Sequence, residues 1–524
     1  MELTPLERTI IVVTTVFAAI MELIDTSIIN VALSQISGNL GATIEDASWA
    51  ITAYAIANVI IIPLTGFLAR YYGRKNYYIS SIIIFTIASL MCGQSTSLTQ
   101  LVLWRFIQGI GGGALLSTSQ SILFDAFPPQ KKAMASGLFG MGIVLGPAIG
   151  PSLGGYIVDN YSWPLIFYIN IPFGILAAFF AYRFIIKKPE EININKKAIY
   201  IDYFGIISLA IGVGSLQYVL EKGQADDWFA SKTICLFTGT AIIGIILFVW
   251  RQLTLTIPLI DLKILKNKNL LASNILSFVM GFGLFGSVFI FPVMVQRVLG
   301  FTPTEAGLGI IPGALIALPL MPFIGKKMGS GTSPITFVVI GFILFILHGI
   351  TSSFATPDVS RAWFIIPQIF RGAGTAFILV PLINQAAIGL KPSQMSSGIS
   401  LTNMIRQLGG SFGIAIMNTY IAIKFAEHKN DLIANITAND PEYLARATQL
   451  TNGLIAKGSN PYNATKAANT IIDLSINKQS YFMAYLDGFL LISVFFVCAL
   501  PFILLLTTKK LDAATQARIA EESH

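Results

Sequence analysis

Charge is scarce in this chain. Only 11% of its 524 residues are Asp, Glu, Lys or Arg, against about 25% in an ordinary soluble domain, which excludes a water-soluble globular protein. Cysteine is scarcer still. Cys92, Cys235 and Cys498 lie far apart in apolar runs and form no C-x-x-C pair. They read as small packing residues, with no disulfide and no zinc site expected. The three histidines, His348, His428 and His524, make no cluster, so no other metal site is expected either. Signatures of catalysis are also missing: there is no Walker P-loop, no H-E-x-x-H, no G-x-S-x-G and no dinucleotide fingerprint. "GIGGG" at 109–113 sits in the middle of an apolar run and cannot cradle a nucleotide. Neither enzyme activity nor a cofactor is expected.

What the chain has in abundance is apolar length. It is 54% apolar, with mean hydropathy +0.72. About 20 apolar residues span a bilayer as a helix. Fourteen such runs can be marked, at 9–34, 48–69, 77–95, 99–122, 134–156, 164–185, 203–220, 231–251, 271–296, 303–324, 334–353, 361–388, 396–424 and 481–507. The first exceeds a signal-peptide core, carries Glu22 and Asp25 and lacks a cleavage site, so it should stay as a helix. An even number of spans puts both termini on one side, and Lys and Arg choose which. With the termini inside, 21 basic residues fall on inner segments and four on short outer loops. The net charge of +8 is then a topology signal for a cytoplasmic leaflet, and nucleic acid is not implied.

Runs four and twelve are related. "WRFIQGIGGGALL" and "IFRGAGTAFIL" each place an arginine, Arg105 or Arg371, before a glycine-rich stretch. Each is followed by a short turn with Pro and Lys, "FPPQKKAMASG" or "LKPSQMSSG", and another glycine-rich helix. Two related halves around an insertion are a transporter pattern. The expected division is an all-α membrane protein with a six-helix bundle at 1–188, a linker with two inserted helices at 189–269, a second six-helix bundle at 270–508 and a tail at 509–524.

An arginine at the centre of a membrane helix costs roughly 2.5–3.5 kcal/mol, so Arg105 needs a purpose. In "MELIDTSIINVAL", Glu22, Asp25 and Thr26 fall on one helix face. Carboxylates are expensive in lipid, so that face should look into a protein cavity. Asp25 lies some 15 Å below the outer end of its helix and Arg105 some 9 Å below the end of its own, at about 1.5 Å per residue. At such similar depth the arginine can control a proton on Asp25. Proton coupling is therefore expected of Asp25, Glu22 and Arg105, and Glu22, Asp25, Thr26, Asn30 and Gln108 are expected to line the substrate cavity.

Run five reads "GLFGMGIVLGPAIGPSLGGYIVD", with Gly142, Gly146, Gly150 and Gly154 every fourth residue and Pro147 and Pro151 beside them. Such a ridge lets helices approach closely, and the prolines bend it. The loop "GFLARYYGRK" offers Gly66 and Gly73 for turning and Arg70, Arg74 and Lys75 for helix C-termini and the inner leaflet. Residues 425–480 are polar, should lie outside and should form short amphipathic helices. The Asn435 and Asn463 sequons are not expected to matter in a bacterial membrane.

Taken together these motifs resemble the major facilitator superfamily, and within it the fourteen-helix drug:proton antiporters of the EmrB type, over essentially the whole chain. "LIDTSIINVAL" resembles the first-helix motif, with Asp25 at the membrane carboxylate. "WRFIQGIGGG" resembles the fourth-helix motif, mapping Arg105, Gln108 and Gly109. "GIVLGPAIGPSLGGYI" resembles the antiporter motif, mapping Gly146, Pro147, Gly150, Pro151, Gly154 and Gly155. "VGSLQYVLEKGQADDWF" resembles the end of helix seven. The inner loop departs from the family's pattern: Arg70 stands where an acid belongs, and Tyr71 follows. The resemblance implies a proton-driven exporter of hydrophobic drugs in the inner membrane, with cations favoured by Glu22. It also implies a periplasmic adaptor and an outer-membrane channel as partners, for which 425–480 could be the docking surface. The rival readings are export of one endogenous metabolite or siderophore, and a receptor or scaffold without flux.

Overall fold

The computed structural model describes residues 4–506 apart from 129–130, 187–200, 257, 387–389, 391, 435 and 437–439. The first helix starts where its capping chemistry is complete. Thr4 accepts a hydrogen bond from the Glu7 backbone, the Glu7 carboxylate accepts one from the Thr4 backbone, and Pro5 occupies the first helical position. The helix ends at Gly41, in the left-handed conformation at φ 62°. It therefore runs well past the apolar stretch at both ends, as α1, Pro5–Leu40.

The other long helices follow in antiparallel order: α2 Trp49–Tyr72, α3 Arg74–Gly93, α4 Leu98–Asp125, α5 Lys132–Asn160, α6 Asn170–Phe184, α7 Tyr203–Lys222, α8 Lys232–Thr254, α9 Lys268–Arg297, α10 Pro303–Gly329, α11 Pro334–Ser353, α12 Ile365–Gln385 and α13 Pro392–Ala434. After the shorter α14, Pro441–Ala456, comes α15, Pro461–Ala499. Fourteen of these fifteen correspond to the apolar runs, but only 12 helices are long and apolar enough on their own to cross a membrane among the described residues. The two that fall short are α4 and α13. Both run through the middle of the bundle, where their polar side chains meet protein rather than lipid. Residues 111–124 of α4 are buried on every side.

Helices α1 to α6 pack chiefly on one another, as do α9 to α13 with α15. Two seams join the sets: α5 along α10, and α2 along α13. The α5–α10 seam is close along its whole length. A Cβ on Gly307 would meet Ser152, and one on Gly155 would come within 3.2 Å of the Thr304 backbone. The inserted hairpin closes through Gly212 of α7 against Gly244 of α8 and leans on α2 and α13. It is stapled by Arg251 on Asp202 at 3.2 Å, and Trp228 donates to the Thr419 hydroxyl at 2.9 Å.

Several expectations need correction. The loop expected around 66–75 shrinks to one residue, Gly73 at φ 81°, with helix on both sides. Arg74 pairs with Asp125 at the foot of α4. Segment 425–480 is not a set of short helices: α13 continues outward to Ala434 and α15 begins at Pro461, so only α14 is separate. Cys92 is buried, but Cys235 and Cys498 are exposed, so packing accounts for one cysteine of three. The basic residues at 187–197, Lys391, Lys509, Lys510 and Arg518, and Asn435 and His524, lie outside the described residues.

The side on which α1 begins is here the near side. There the two helix sets touch through polar side chains. Asn403 of α13 donates to the Ser117 hydroxyl at 3.1 Å and to the Gln120 carbonyl at 3.2 Å, both on α4. Gly66 of α2 lies so close to Ser397 that a Cβ would fall 3.1 Å from its Cα. Toward the far side this contact gives way. On α1, opposite the exposed Val13 and Phe17, Thr15, Ala19 and Glu22 are buried, whereas Thr26 is half-buried and Asn30 and Ser34 are exposed. One helix face is thus covered in its near half and open in its far half.

Candidate functional site

Helix α1 places two carboxylates three residues apart, and the structure sends them to different neighbours. Asp25 is fully buried and turns toward α4 and α6. Its Oδ2 accepts from Arg105 Nη1 at 2.5 Å, and its Oδ1 accepts from Gln108 Nε2 and Asn170 Nδ2, each at 2.9 Å. Arg105 is equally well held. Its Nε donates to the Ala50 carbonyl at 3.1 Å and its Nη1 to Gln108 Oε1 at 2.8 Å. Its guanidinium lies 4.2 Å from the centre of the Tyr54 ring. A buried pair of charges offsets its desolvation only when the remaining donors and acceptors are satisfied. Here they largely are, so the pair stands as a dry, closed unit.

Glu22 turns toward α2 instead. Its Oε1 accepts from Asn58 Nδ2 at 3.0 Å and from the Tyr54 hydroxyl at 3.4 Å, and its Oε2 has no partner. Tyr54 therefore touches both carboxylate sites, its ring under Arg105 and its hydroxyl on Glu22. The single face expected for Glu22, Asp25 and Thr26 divides accordingly. Thr26 bonds back to the Leu23 carbonyl at 2.9 Å, and Asn30 stands exposed one turn further out.

The glycine ridge of α5 seats this helix. Gly142 lies against Val16 and Ile20, Gly146 against Leu23, Gly150 against Ser27 and Gly154 against Ile28 and Val31, all on α1. These contacts bracket Glu22 and Asp25. Gly155, off the ridge, faces α10. Pro147 and Pro151 are buried inside α5. On the near side Gly66 is pressed on α13, Arg70 is exposed and acts electrostatically on Asp261, and Lys75 donates to the Tyr182 carbonyl at 2.6 Å.

The related arginine, Arg371, is buried on α12 beside Gln368, whose Oε1 accepts from its Nε at 2.6 Å. No carboxylate pairs with it among the described residues. His348 is buried too, with Nδ1 2.9 Å from the Pro367 carbonyl. Sequence reasoning passed over Tyr54, Asn58, Asn170 and the Asn403–Arg406 pair. Each is a polar residue inside an apolar helix, as in "YAIANVI", "FYINIPFG" and "LTNMIRQ", and that was the available signal.

The profile of the Major Facilitator Superfamily matches residues 15–414. The multidrug export protein EmrB of Escherichia coli is 33% identical over 90% of this chain and 93% of its own length. The fatty acid resistance protein FarB of Neisseria gonorrhoeae is 32% identical over 93% of each. Among solved structures, a bacterial homologue of the human lysosomal transporter Spinster superposes with TM-score 0.57 at 17% identity, covering 96% of this chain and 98% of its own. The proton:xylose symporter XylE superposes with TM-score 0.57 at 13% identity, covering 93% and 94%.

Proposed function

Because the chain belongs to the Major Facilitator Superfamily, we propose that it is a multidrug efflux transporter working as a proton-driven antiporter. The observation that carries the reading is the Asp25–Arg105 pair, a carboxylate and a guanidinium buried together inside membrane-spanning helices. An isolated charge there is expensive. A carboxylate that can lose its charge by taking a proton, beside a cation that favours the charged form, is a proton site whose occupancy depends on its surroundings. One proton crossing 100 mV releases about 2.3 kcal/mol, enough to drive export without an ATPase. The similarity to EmrB supports multidrug export, and the unpartnered Oε2 of Glu22 supports hydrophobic cations among the substrates.

The membrane is taken to be the bacterial inner membrane with the near side cytoplasmic, as the basic residues imply, so the state described here is open outward. Helices α1 to α6 and α9 to α15 form the two bundles, with α7 and α8 inserted. A periplasmic adaptor and an outer-membrane channel are the proposed partners. The test is dye uptake into inverted vesicles, which is the export direction, driven by an imposed proton gradient. Asp25→Asn should abolish driven uptake while the amount of inserted protein stays normal; undiminished uptake by that variant would refute the proton role.

A further inference from the structure

The inserted hairpin lies against both helix sets, and its far-side turn reaches each of them. Along the first set it is fastened at two levels. Toward the near side, Leu64 and Phe67 of α2 share one buried cluster with Leu209 and Val213 of α7 and Phe248 of α8. At the far end, the buried Lys222 donates to the Ser48 hydroxyl at 2.7 Å and stands 5.3 Å from the centre of the Trp49 ring. Beyond it, Trp228 crosses to the second set, where its Nε1 donates to Thr419 Oγ1 on α13 at 2.9 Å. That hydroxyl donates in turn to the Ala415 carbonyl at 3.0 Å, so the bond ends on a fixed support. The turn is bent hard to make this reach. Asp227 and Trp228 are consecutive non-glycine residues in the left-handed region, at φ 55° and 49°. Such backbone is costly when a side chain is present, and it persists only where its surroundings impose it. Here the Trp228 N–H donates to the Gly223 carbonyl at 2.6 Å, and the indole lies so close to Gly223 that a Cβ there would overlap it.

We infer that this turn is a strained latch between the helix sets: Trp228, on a hairpin that travels with α2, holds α13 through Thr419 while the far side is open, and must let go for the near side to open. At the near end α2 lies directly on α13, with Gly66 against Ser397. A tilt that parts this contact shifts α13 along the hairpin and draws Thr419 away from Trp228. The strain at 227–228 is relieved when the bond breaks, so the latch releases readily once the sets begin to tilt. The inserted hairpin thereby sets the balance between the two openings from outside the carboxylate sites. The inference rests on the transport reading in one respect, that the near side opens in each cycle.

The test reads how often the near side opens. Ala19 is fully buried on the covered near half of α1. In the full chain in lipid nanodiscs, with the exposed Cys235 and Cys498 replaced by alanine, a maleimide reaches Ala19→Cys only when the near side opens, so its rate follows that population. The buried native Cys92 stays as an internal control for general loosening. Trp228→Phe keeps the ring and removes the donor; Thr419→Val keeps the shape and removes the acceptor. Each should speed labelling at position 19 by about 3-fold to 10-fold, the loss of one hydrogen bond, and leave Cys92 unchanged. The two together should do no more than either alone, since both break the same bond. Asp227→Gly should act in the opposite direction. Glycine adopts the left-handed conformation without strain, so the latched state gains and labelling should slow by about fivefold. Unchanged labelling in Trp228→Phe and Thr419→Val would overturn the latch, and so would equal acceleration at Cys92, which would make the bond a support of the fold alone. An unchanged or faster rate in Asp227→Gly would overturn the stored strain. The transport reading fails separately, if the variants label in this pattern but the wild type moves no dye into inverted vesicles under a proton gradient.

Discussion

Tyr54 does two jobs with one side chain. Its ring faces a guanidinium, a contact worth about 2 kcal/mol when desolvated, and its hydroxyl reaches a carboxylate of the neighbouring site. Tyr54→Phe keeps the first and removes the second, leaving Glu22 with Asn58 as its one hydrogen-bond donor. The expected outcome is an intact Asp25-dependent proton flux with about 10-fold weaker binding of cationic dye, read by titration beside a proton-uptake assay. Loss of both together would mean that the ring alone is too loosely held to support Arg105. Of this cluster, Asp25 and Arg105 were legible in the sequence because charge in an apolar run is conspicuous and depth follows from helical rise, and Gln108 because it follows Arg105 by one helical turn in "WRFIQGIGGG". Tyr54, Asn58 and Asn170 were not, since neutral polar residues are common in such runs and only the tertiary fold shows which of them meets a carboxylate.

At the scale of helices, α5 is defined by what it lacks. Its glycine ridge brings α1 so close that any side chain would intrude: at Gly150 a Cβ would overlap the Ser27 hydroxyl, and at Gly146 the Leu23 side chain. Gly150→Leu should cost about 1–3 kcal/mol through overpacking. Because the displaced segment lies between Glu22 and Asn30, driven efflux should fall at least tenfold even where the protein still inserts. Normal efflux and an unchanged melting temperature would show that α1 yields without consequence. Helix α14 makes the opposite case, since none of its residues is buried. Replacing 441–456 by a Gly/Ser linker should leave flux in inverted vesicles intact but abolish whole-cell resistance and adaptor pull-down; retention of both would place adaptor docking elsewhere. Run lengths located the spans, but their ends were decided by features outside apolarity. The Thr4–Glu7 capping box carries α1 back to Pro5, and a lone left-handed Gly73 removes a loop altogether. Helices α4 and α13 were marked as the runs 99–122 and 396–424, although their polarity leaves them short of what a spanning helix shows on its own.

For the molecule as a whole, the decisive feature is an asymmetry of closure. The two helix sets meet along both seams, yet between the seams the near side is shut and the far side of α1 is bare. What shuts it is hydrogen bonding together with apolar packing: Asn403 reaches Ser117 and Gln120, with Arg406 behind, and Leu116, Leu123 and Phe124 of α4 share one buried cluster with Leu276 and Val279 of α9. The wider division into two bundles and an insertion was suggested by the arginine–glycine repeat, but nothing in the sequence indicated which end would be closed, because the same residues serve both states.

That kind of closure has an osmotic consequence. Parting the apolar part of the seal wets the surface it exposes, and each donor and acceptor freed at Asn403, Ser117 and Gln120 must in addition find a water in its place. Opening the near side therefore takes up water from the surrounding solution, and its equilibrium depends on water activity. In proteoliposomes, adding a polymer too large to enter the cleft should slow driven turnover progressively, while dye binding from the far side stays constant. A turnover rate indifferent to osmolality would mean that the seal opens dry.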